Sequence, residues 1–491
     1  MPTLSLRAVN RATLDRQLLL RRHPLPARQA VRHLAGLQAQ APLAPYVGLW
    51  TRLSVFNPAE ISTHLSERTV VRAPIMRGTV HLVDAADFVA FRPLFSALMA
   101  GALRANFTRR LTGVDLTALV AEASALLADR PHTRAQLAKA LAVRWPDADP
   151  MALAYAATYL VPVVQVPPRG IWGKSAQATW LTADAWLAPL ARDSFPADQP
   201  VGGRSQDDAP LPDGSAVERL VMRYLAAFGP ASVADAQTWS GLSRLREVTE
   251  RLGLRTYRGP DGAELLDLPD IPLPDEDIPA PPRFLPEYDN LLLSHADRRR
   301  VIPHDLPVPL APGNGGTQGS LLIDGLWDAT WKITKGALTI SSFRSLTNDE
   351  KADITQEGAR LLAFTAPDST APDSTAPGAA ADPPDIRFTA AHWNPRRCPA
   401  WLCPISTIRP RCAPPAMQVA PSPQNASADA RGGCPAGLPC TDNHDKTVTH
   451  RPGIVIADHN PSPSTDYDPL SRETRVGRAR QRGRSTLAGG A

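Results

Sequence analysis

Apolar residues recur at helical spacing through most of the first 260 residues, broken by short apolar or alternating runs that read as strands. The pattern comes in threes. In the first set, Asn10 caps a helix through Arg22, with Leu14, Leu18 and Leu19 on one face. A second helix is expected from Ala27 to Leu37, after Pro24 and Pro26, and a third from Pro58 to Glu67, where first-turn proline is tolerated. Strands at Thr69–Arg72 and Thr79–Val83 follow, around a basic turn holding Arg77 and Gly78. The second set has helices at Leu116–Leu127, Thr133–Val143 and Pro150–Leu160, then strands Val163–Val166 and Ala178–Leu181 flanking the loop Pro167–Lys174. The third follows a polar linker near 201–215. It has helices Ala216–Phe228, Ser232–Ser240 and Ser243–Leu252, and strands near Leu254–Tyr257 and Glu264–Leu268.

Helices followed by a hairpin is the order of a winged helix-turn-helix unit. Three such units exceed chance repetition. From Pro269 to Pro286 the chain is proline-rich and expected to be extended. Strand-like runs resume at Gly319–Asp324, Thr330–Thr334 and Leu338–Phe343, then a helix near Asp349–Leu362 and a last run at Asp385–Thr389. A Thr-Ala-Pro-Asp-Ser repeat, Thr365–Ser369 and Thr370–Ser374, reads as a linker. The expected fold is mainly α with short β-hairpins (α+β): three tandem winged-helix units at 4–110, 111–195 and 212–270, and a C-terminal β-rich subdomain at 283–390. Periodicity stops beyond Ala391, so 391–491 reads as a disordered tail, an appended extension rather than a packed domain.

Charge changes this picture in one respect. The chain carries 53 Lys+Arg against 48 Asp+Glu, but residues 391–491 alone hold 13 against 7, so the body is close to neutral. Any nucleic-acid site must therefore be a local cluster, not a global field. All five cysteines also lie in that tail, at spacings unlike a paired zinc site, which leaves no thiol chemistry for the body. No metal cluster or cofactor motif is read. Without an 18-residue apolar run or a secretory leader pattern, no membrane association is expected, and the cytoplasm is the expected location.

The candidate chemistry begins at Leu37-Gln38-Ala39-Gln40-Ala41-Pro42. In extended backbone, residues i and i+2 point the same way, and Pro42 biases Ala41 out of the helical region. Two side-chain amides meeting at one spot can hold a single water without adding charge. Spacing alone equally fits two polar residues at a helix end.

Four segments stand in a known order: Leu37–Pro42; Met76-Arg77-Gly78-Thr79-Val80-His81-Leu82; Ala227–Asp235; and Phe284–Asn290 continuing through Leu293–Arg298. Together they resemble the tandem winged-helix DNA glycosylases, over roughly Leu4 to Phe388. The resemblance implies three winged helices in a C around duplex DNA and hydrolysis of the N-glycosidic bond of alkylated purines, crosslinked ones included. It implies a Gln-x-Gln catalytic motif in one branch of the family and Gln-x-Asp in the other. Gln38 and Gln40 match the first and become the expected water-positioning residues.

An N7- or N3-alkylated purine is already cationic and departs neutral, so placing a water under C1′ is most of the task. Arg77, Arg169, Lys174, Arg298 and Arg299 are expected DNA contacts, with solvated surface as the competing reading. His81 and His295 lie inside the matched segments and are candidate DNA contacts or structural histidines. Trp172 either wedges against bases or packs on its own hairpin. The partner is double-stranded DNA with alkylated purines, and the chain is expected to act as a monomer. No lysine flanks the pair, so no lyase step is suggested. The competing function is a non-catalytic winged-helix regulator.

Overall fold

In a computed structural model, residues 1–194, 214–303, 306, 318–366 and 384–390 are described. Most of the expected linker near 201–215, most of the Thr-Ala-Pro-Asp-Ser repeat and the tail lie outside these residues. The described chain mixes helices with three sheets, an α+β fold.

The first helix differs from its expected bounds. It spans Leu6–Arg16 and is capped by Ser5, whose hydroxyl accepts from the Ala8 amide. Asn10 is buried mid-helix, and its side-chain amide donates to the carbonyls of Arg300 and Gly325. A serine with a free first turn ahead of it outcompetes an asparagine whose amide is spent on distant backbone. Leu18, at φ 58°, ends the run, and Arg22 lies outside it, paired with Glu357.

The second helix, Ala27–His33, is also shorter than expected. Ala35 (φ 52°) and Gly36 (φ 94°) turn the chain, and Leu37–Gln38 forms a strand instead of a last helical turn. Gly36 is required there: a Cβ would sit 2.7 Å from Val83 Cγ1, on backbone that L side chains rarely adopt. Helix Pro58–Ser66, capped by Asn57, and strands Val70–Pro74 and Val80–Asp84 fall where the pattern puts them.

Helices Ala44–Trp50, Ala85–Phe91 and Ser96–Phe107 add to the pattern. The stretch Ala85–Arg110 is long and apolar enough to cross a membrane. A 3₁₀ turn at Arg92–Phe95 interrupts it, and Phe88, Phe95 and Met99 enter the core.

The first two hairpins share one six-stranded sheet. Its order is Leu37–Gln38, Val80–Asp84, Val70–Pro74, Val163–Val166, Thr179–Thr182 and His132–Thr133. The two halves join at a single pairing, Arg72 opposite Gln165. Helices Leu116–Asp129, Arg134–Ala142 and Pro150–Leu160 cover the second half. In the third set the helices are Gly214–Phe228, Val233–Ser240 and only Arg246–Thr249, before the hairpin Arg255–Arg258 and Glu264–Asp267. One apolar core runs from Leu18 to Leu266 through all three sets.

The C-terminal sheet runs in the order Ile386–Ala390, Ala337–Ser342, Leu326–Thr334, Gly319–Ile323 and Arg283–Leu285, backed by helix Asn348–Thr365. The expected extended run 269–286 thus ends as an edge strand. Phe284 enters the core of this sheet, while Leu285 packs with Leu14, Leu19 and Leu291. That strand delivers the segment Pro286–Asn290 to the first set.

Candidate functional site

The glutamine strand is pinned from three sides. Gln38 lies opposite His81 in the sheet, and the Ala39 amide donates to the Val80 carbonyl. The Ala39 carbonyl accepts from Arg72 Nη2 at 2.7 Å. With both backbone groups of Ala39 held, its neighbours must project to the same side. Their side chains meet: Gln38 Nε2 donates to Gln40 Oε1 at 2.6 Å. This leaves Gln38 Oε1 as a buried acceptor without a partner, while the amide nitrogen of half-buried Gln40 has no acceptor among the described residues. One free acceptor beside one free donor is the complement of a water molecule.

A cavity of about 10 Å³ lies against Gln38, lined also by Gln17, Gly36, Arg52, Asp289 and Asn290. That is room for about one water and far too little for a nucleobase. Asp289 takes a two-pronged pair from buried Arg52, 2.9 Å at each oxygen, and caps the Leu291 amide. Asn290 Nδ2 donates to the Gly36 carbonyl (3.2 Å), and its Oδ1 accepts from Arg77 Nη2 at 2.8 Å. Tyr288 at φ 60° and Arg77 at φ 55° hold left-handed conformations on either side of this contact. Each costs about 1–3 kcal/mol and persists only because its surroundings fix it.

Three of the four matched segments therefore converge on one spot. The fourth is tied in through Asp235, which accepts from the amides of Ala296 and Asp297 and pairs with Arg300.

His81 is fully buried. Nδ1–H donates to the Thr79 carbonyl at 2.9 Å, so Nε2 accepts from Arg77 Nη2 at 3.3 Å. Burial first, and then the Arg77 charge, lowers its pKa to about 3, and the ring is neutral. His295 is likewise interior, bonded to the Phe228 carbonyl, with its pKa lowered to about 3 by burial and by Arg300. Neither histidine offers a face to DNA, because both are fully enclosed by protein. Arg77 does not project from a wing. It turns inward, donating to the Trp239 carbonyl at 2.7 Å as well as to Asn290.

The second loop, Pro167–Lys174, also folds back. Trp172 packs on Tyr46 (centroids 5.0 Å apart) and Phe364 (5.2 Å) rather than on its own hairpin, and its amide donates to Ser62. Arg169 Nη1 donates to the Ala176 carbonyl just past the loop, and Lys174 is exposed. Arg299 is neutralised by Asp297 and Asp261. Arg298 is half-buried and meets no carboxylate among the described residues.

Arg72 and Arg52 are the site residues that sequence reasoning passed over, and Asn290, inside a matched segment, read there as no more than a loop or capping residue. Arg72 has a visible signal: a lone charge inside the apolar strand Val70-Val71-Arg72-Ala73. It is buried, meets only the neutral acceptors Gln165 Oε1 and the Ala39 carbonyl, and burial with nearby Arg169 lowers its pKa to about 9. Gly170 closes over it, where a Cβ would strike Arg72 Cδ at 2.5 Å. The cavity is not free of carboxyls either, since Asp289 lines it, and a second carboxyl stands two residues before Asp289 in the chain. Glu287 is half-buried, without a basic partner among the described residues, and burial raises its pKa.

A mixed α+β chain that gathers these four segments around two touching glutamines is matched, over residues 31–364, by the model of the family described as DNA glycosylase AlkZ-like. This chain belongs to that AlkZ-like DNA glycosylase family, and the membership supports DNA glycosylase activity and a DNA substrate. Among solved structures it is similar to the DNA glycosylase AlkZ of Streptomyces sahachiroi, with TM-score 0.59 and 19% identity, over 74% of this chain and 96% of that one. At that identity the likeness concerns the fold. No curated protein matches the chain.

Proposed function

We propose that this chain is a monofunctional glycosylase. It hydrolyses the N-glycosidic bond of cationic N7- or N3-alkylated purines in duplex DNA, crosslinked ones included, with a water held between Gln38 and Gln40. The observation that carries the proposal is the contact between the two amides, which leaves one acceptor and one donor free, with a one-water cavity against Gln38. Gln38 Oε1 accepts a hydrogen of the water while the Gln40 amide donates to its oxygen. The water's remaining lone pair attacks C1′ as the C1′–N bond breaks and its electrons neutralise the purine; the proton passes to solvent. Because the cavity cannot take a base, the lesion is hydrolysed where it lies, which suits a crosslinked or bulky adduct.

In this reading three winged-helix units of a monomer surround the duplex, as the threefold helix–hairpin order suggests, and exposed Lys174 contacts phosphate with Arg169 beside it. The enzyme works in the cytoplasm on nucleoid DNA, without cofactor. The test is release of free base from a duplex carrying N7-methylguanine, by the native chain and by Gln38→Ala/Gln40→Ala. Release by the native chain alone is expected. Duplex binding with no release from either protein favours the regulator instead.

A further inference from the structure

Three consecutive arginines follow His295 and Asp297, and they have three different fates. Arg299 is held by Asp297 and Asp261. Arg300 is buried against Asp235, the Pro230 carbonyl and Thr13. Arg298 lies between these two ends of the chain's charge pairing, half-buried. Its Nε is closed to water and has no acceptor, and no side chain among the described residues pairs with its guanidinium.

Its charge reaches Arg77: burial first, and then Arg298, bring the Arg77 pKa down to about 10. Arg77 itself meets only neutral acceptors: the Trp239 carbonyl, Asn290 Oδ1 and neutral His81. The remaining titratable groups nearby are already committed. His295 is uncharged, and Asp235 is shared among Arg300, the Ser232 cap and two backbone amides. Two positive charges thus stand together, half-withdrawn from solvent, without an anion. Burying cations in this way is unfavourable unless something negative completes the site.

We propose that Arg298, seated against the charge of Arg77, is a phosphate-binding site that takes one phosphodiester of the DNA backbone beside the glutamine pair. A guanidinium with open donors matches phosphate oxygens in a way an ammonium does not. Its place follows from the charge that Arg77 feels from it and from the contacts Arg77 makes. Arg77 holds Asn290, and Asn290 holds Gly36 and lines the cavity of Gln38. The phosphate would therefore anchor the strand next to the nucleotide under attack. The assignment of that nucleotide rests on the proposed glycosylase reading, whereas the anion site itself does not.

The experiment uses the full chain, Arg298→Ala, Arg298→Lys, and Arg251→Ala as a control on a surface ion pair with Glu218. Binding to an undamaged labelled duplex is followed by anisotropy over about 0.05–0.2 M salt. Arg298→Ala is expected to flatten the slope of log K against log salt by about 1, with Arg298→Lys between it and the native chain and Arg251→Ala unchanged. In duplexes with a single neutral methylphosphonate moved along the strand, one position near an N7-methylguanine should weaken the native chain and be silent in Arg298→Ala.

Native affinity and salt slope in Arg298→Ala, or methylphosphonate costs equal in both proteins at every position, would overturn the proposal. Inorganic phosphate raising the melting temperature of the native chain but not of Arg298→Ala, with DNA affinity unchanged, assigns the site to free phosphate and overturns the backbone reading. The expected binding pattern without base release supports the phosphate site and removes the glycosylase reading alone.

Discussion

Two regions of this molecule bury arginine, and they do so on opposite terms. Where the N-terminal helix meets the third helical set, each buried guanidinium meets a carboxylate. Arg16 takes both oxygens of Asp267, and Arg300 pairs with Asp235. Around the glutamine strand, Arg52 is still neutralised by Asp289, but Arg72 and Arg77 meet only carbonyl, amide and imidazole acceptors. The first arrangement neutralises charge and fastens elements far apart in the chain. The second keeps its charge and fixes a short strand, so the field next to the two amides stays positive. The contrast shows how a nearly neutral body can still present a local site for a polyanion.

The sharpest way to break this comparison is at the glutamines. Gln38→Ala/Gln40→Ala should lower single-turnover base release from an N7-methylguanine duplex by about 10²-fold or more, the scale expected when a reacting group loses its positioning. Duplex affinity should stay within a few-fold, since neither amide carries charge. Undiminished release would detach the chemistry from this strand.

The next effect separates the two kinds of arginine. Asp267→Asn strands the Arg16 charge in the core and should cost about 3–5 kcal/mol in urea unfolding. Arg72→Met leaves only neutral acceptors unpaired, about 1–3 kcal/mol, yet frees the Ala39 carbonyl and should slow base release far more than Asp267→Asn does. If the two variants lose stability and activity in the same proportion, the distinction fails.

A smaller effect appears in pH dependence, with opposite signs for two groups that burial shifts. His81 has a folded pKa of about 3, below its ordinary 6.5, so it adds stability above 6.5 that is lost as pH falls from there toward 3. Glu287 has a folded pKa above its ordinary 4.5, so its contribution is full below 4.5 and is lost as pH rises through the folded value. Urea midpoints should show His81→Gln flattening the acid limb and Glu287→Gln flattening the limb above 4.5. A variant that leaves its limb unchanged disproves that assignment. The smallest effect belongs to Arg299→Ala, whose partly exposed ion pairs are worth under about 1 kcal/mol in the same assay.

Much of this was readable beforehand where the chemistry is local. The hairpin strands Val70–Pro74 and Val80–Asp84 follow from β-branched runs around a glycine turn. Helix Pro58–Ser66 follows from asparagine and proline at its start. The same-side projection of Gln38 and Gln40 follows from extended backbone before proline. The errors came where a long-range partner overrode a local preference. Asn10 looks like a helix cap until Arg300 and Gly325 claim its amide, and the helix after Ala27 looks continuous until Gly36 packs under Val83. Arg77 and the loop of Trp172 look like projecting wing tips until Asn290, Trp239, Tyr46 and Phe364 fold them inward.

Periodicity, turn residues and the position of the two glutamines were thus fixed along the chain, because each depends on neighbours within a few residues. Which arginines keep their charge, which histidines lie in the core and which carboxyl joins the glutamines depend on contacts hundreds of residues apart. Residue types specify what a side chain can donate or accept, and packing alone sets whether a partner or an empty space meets it.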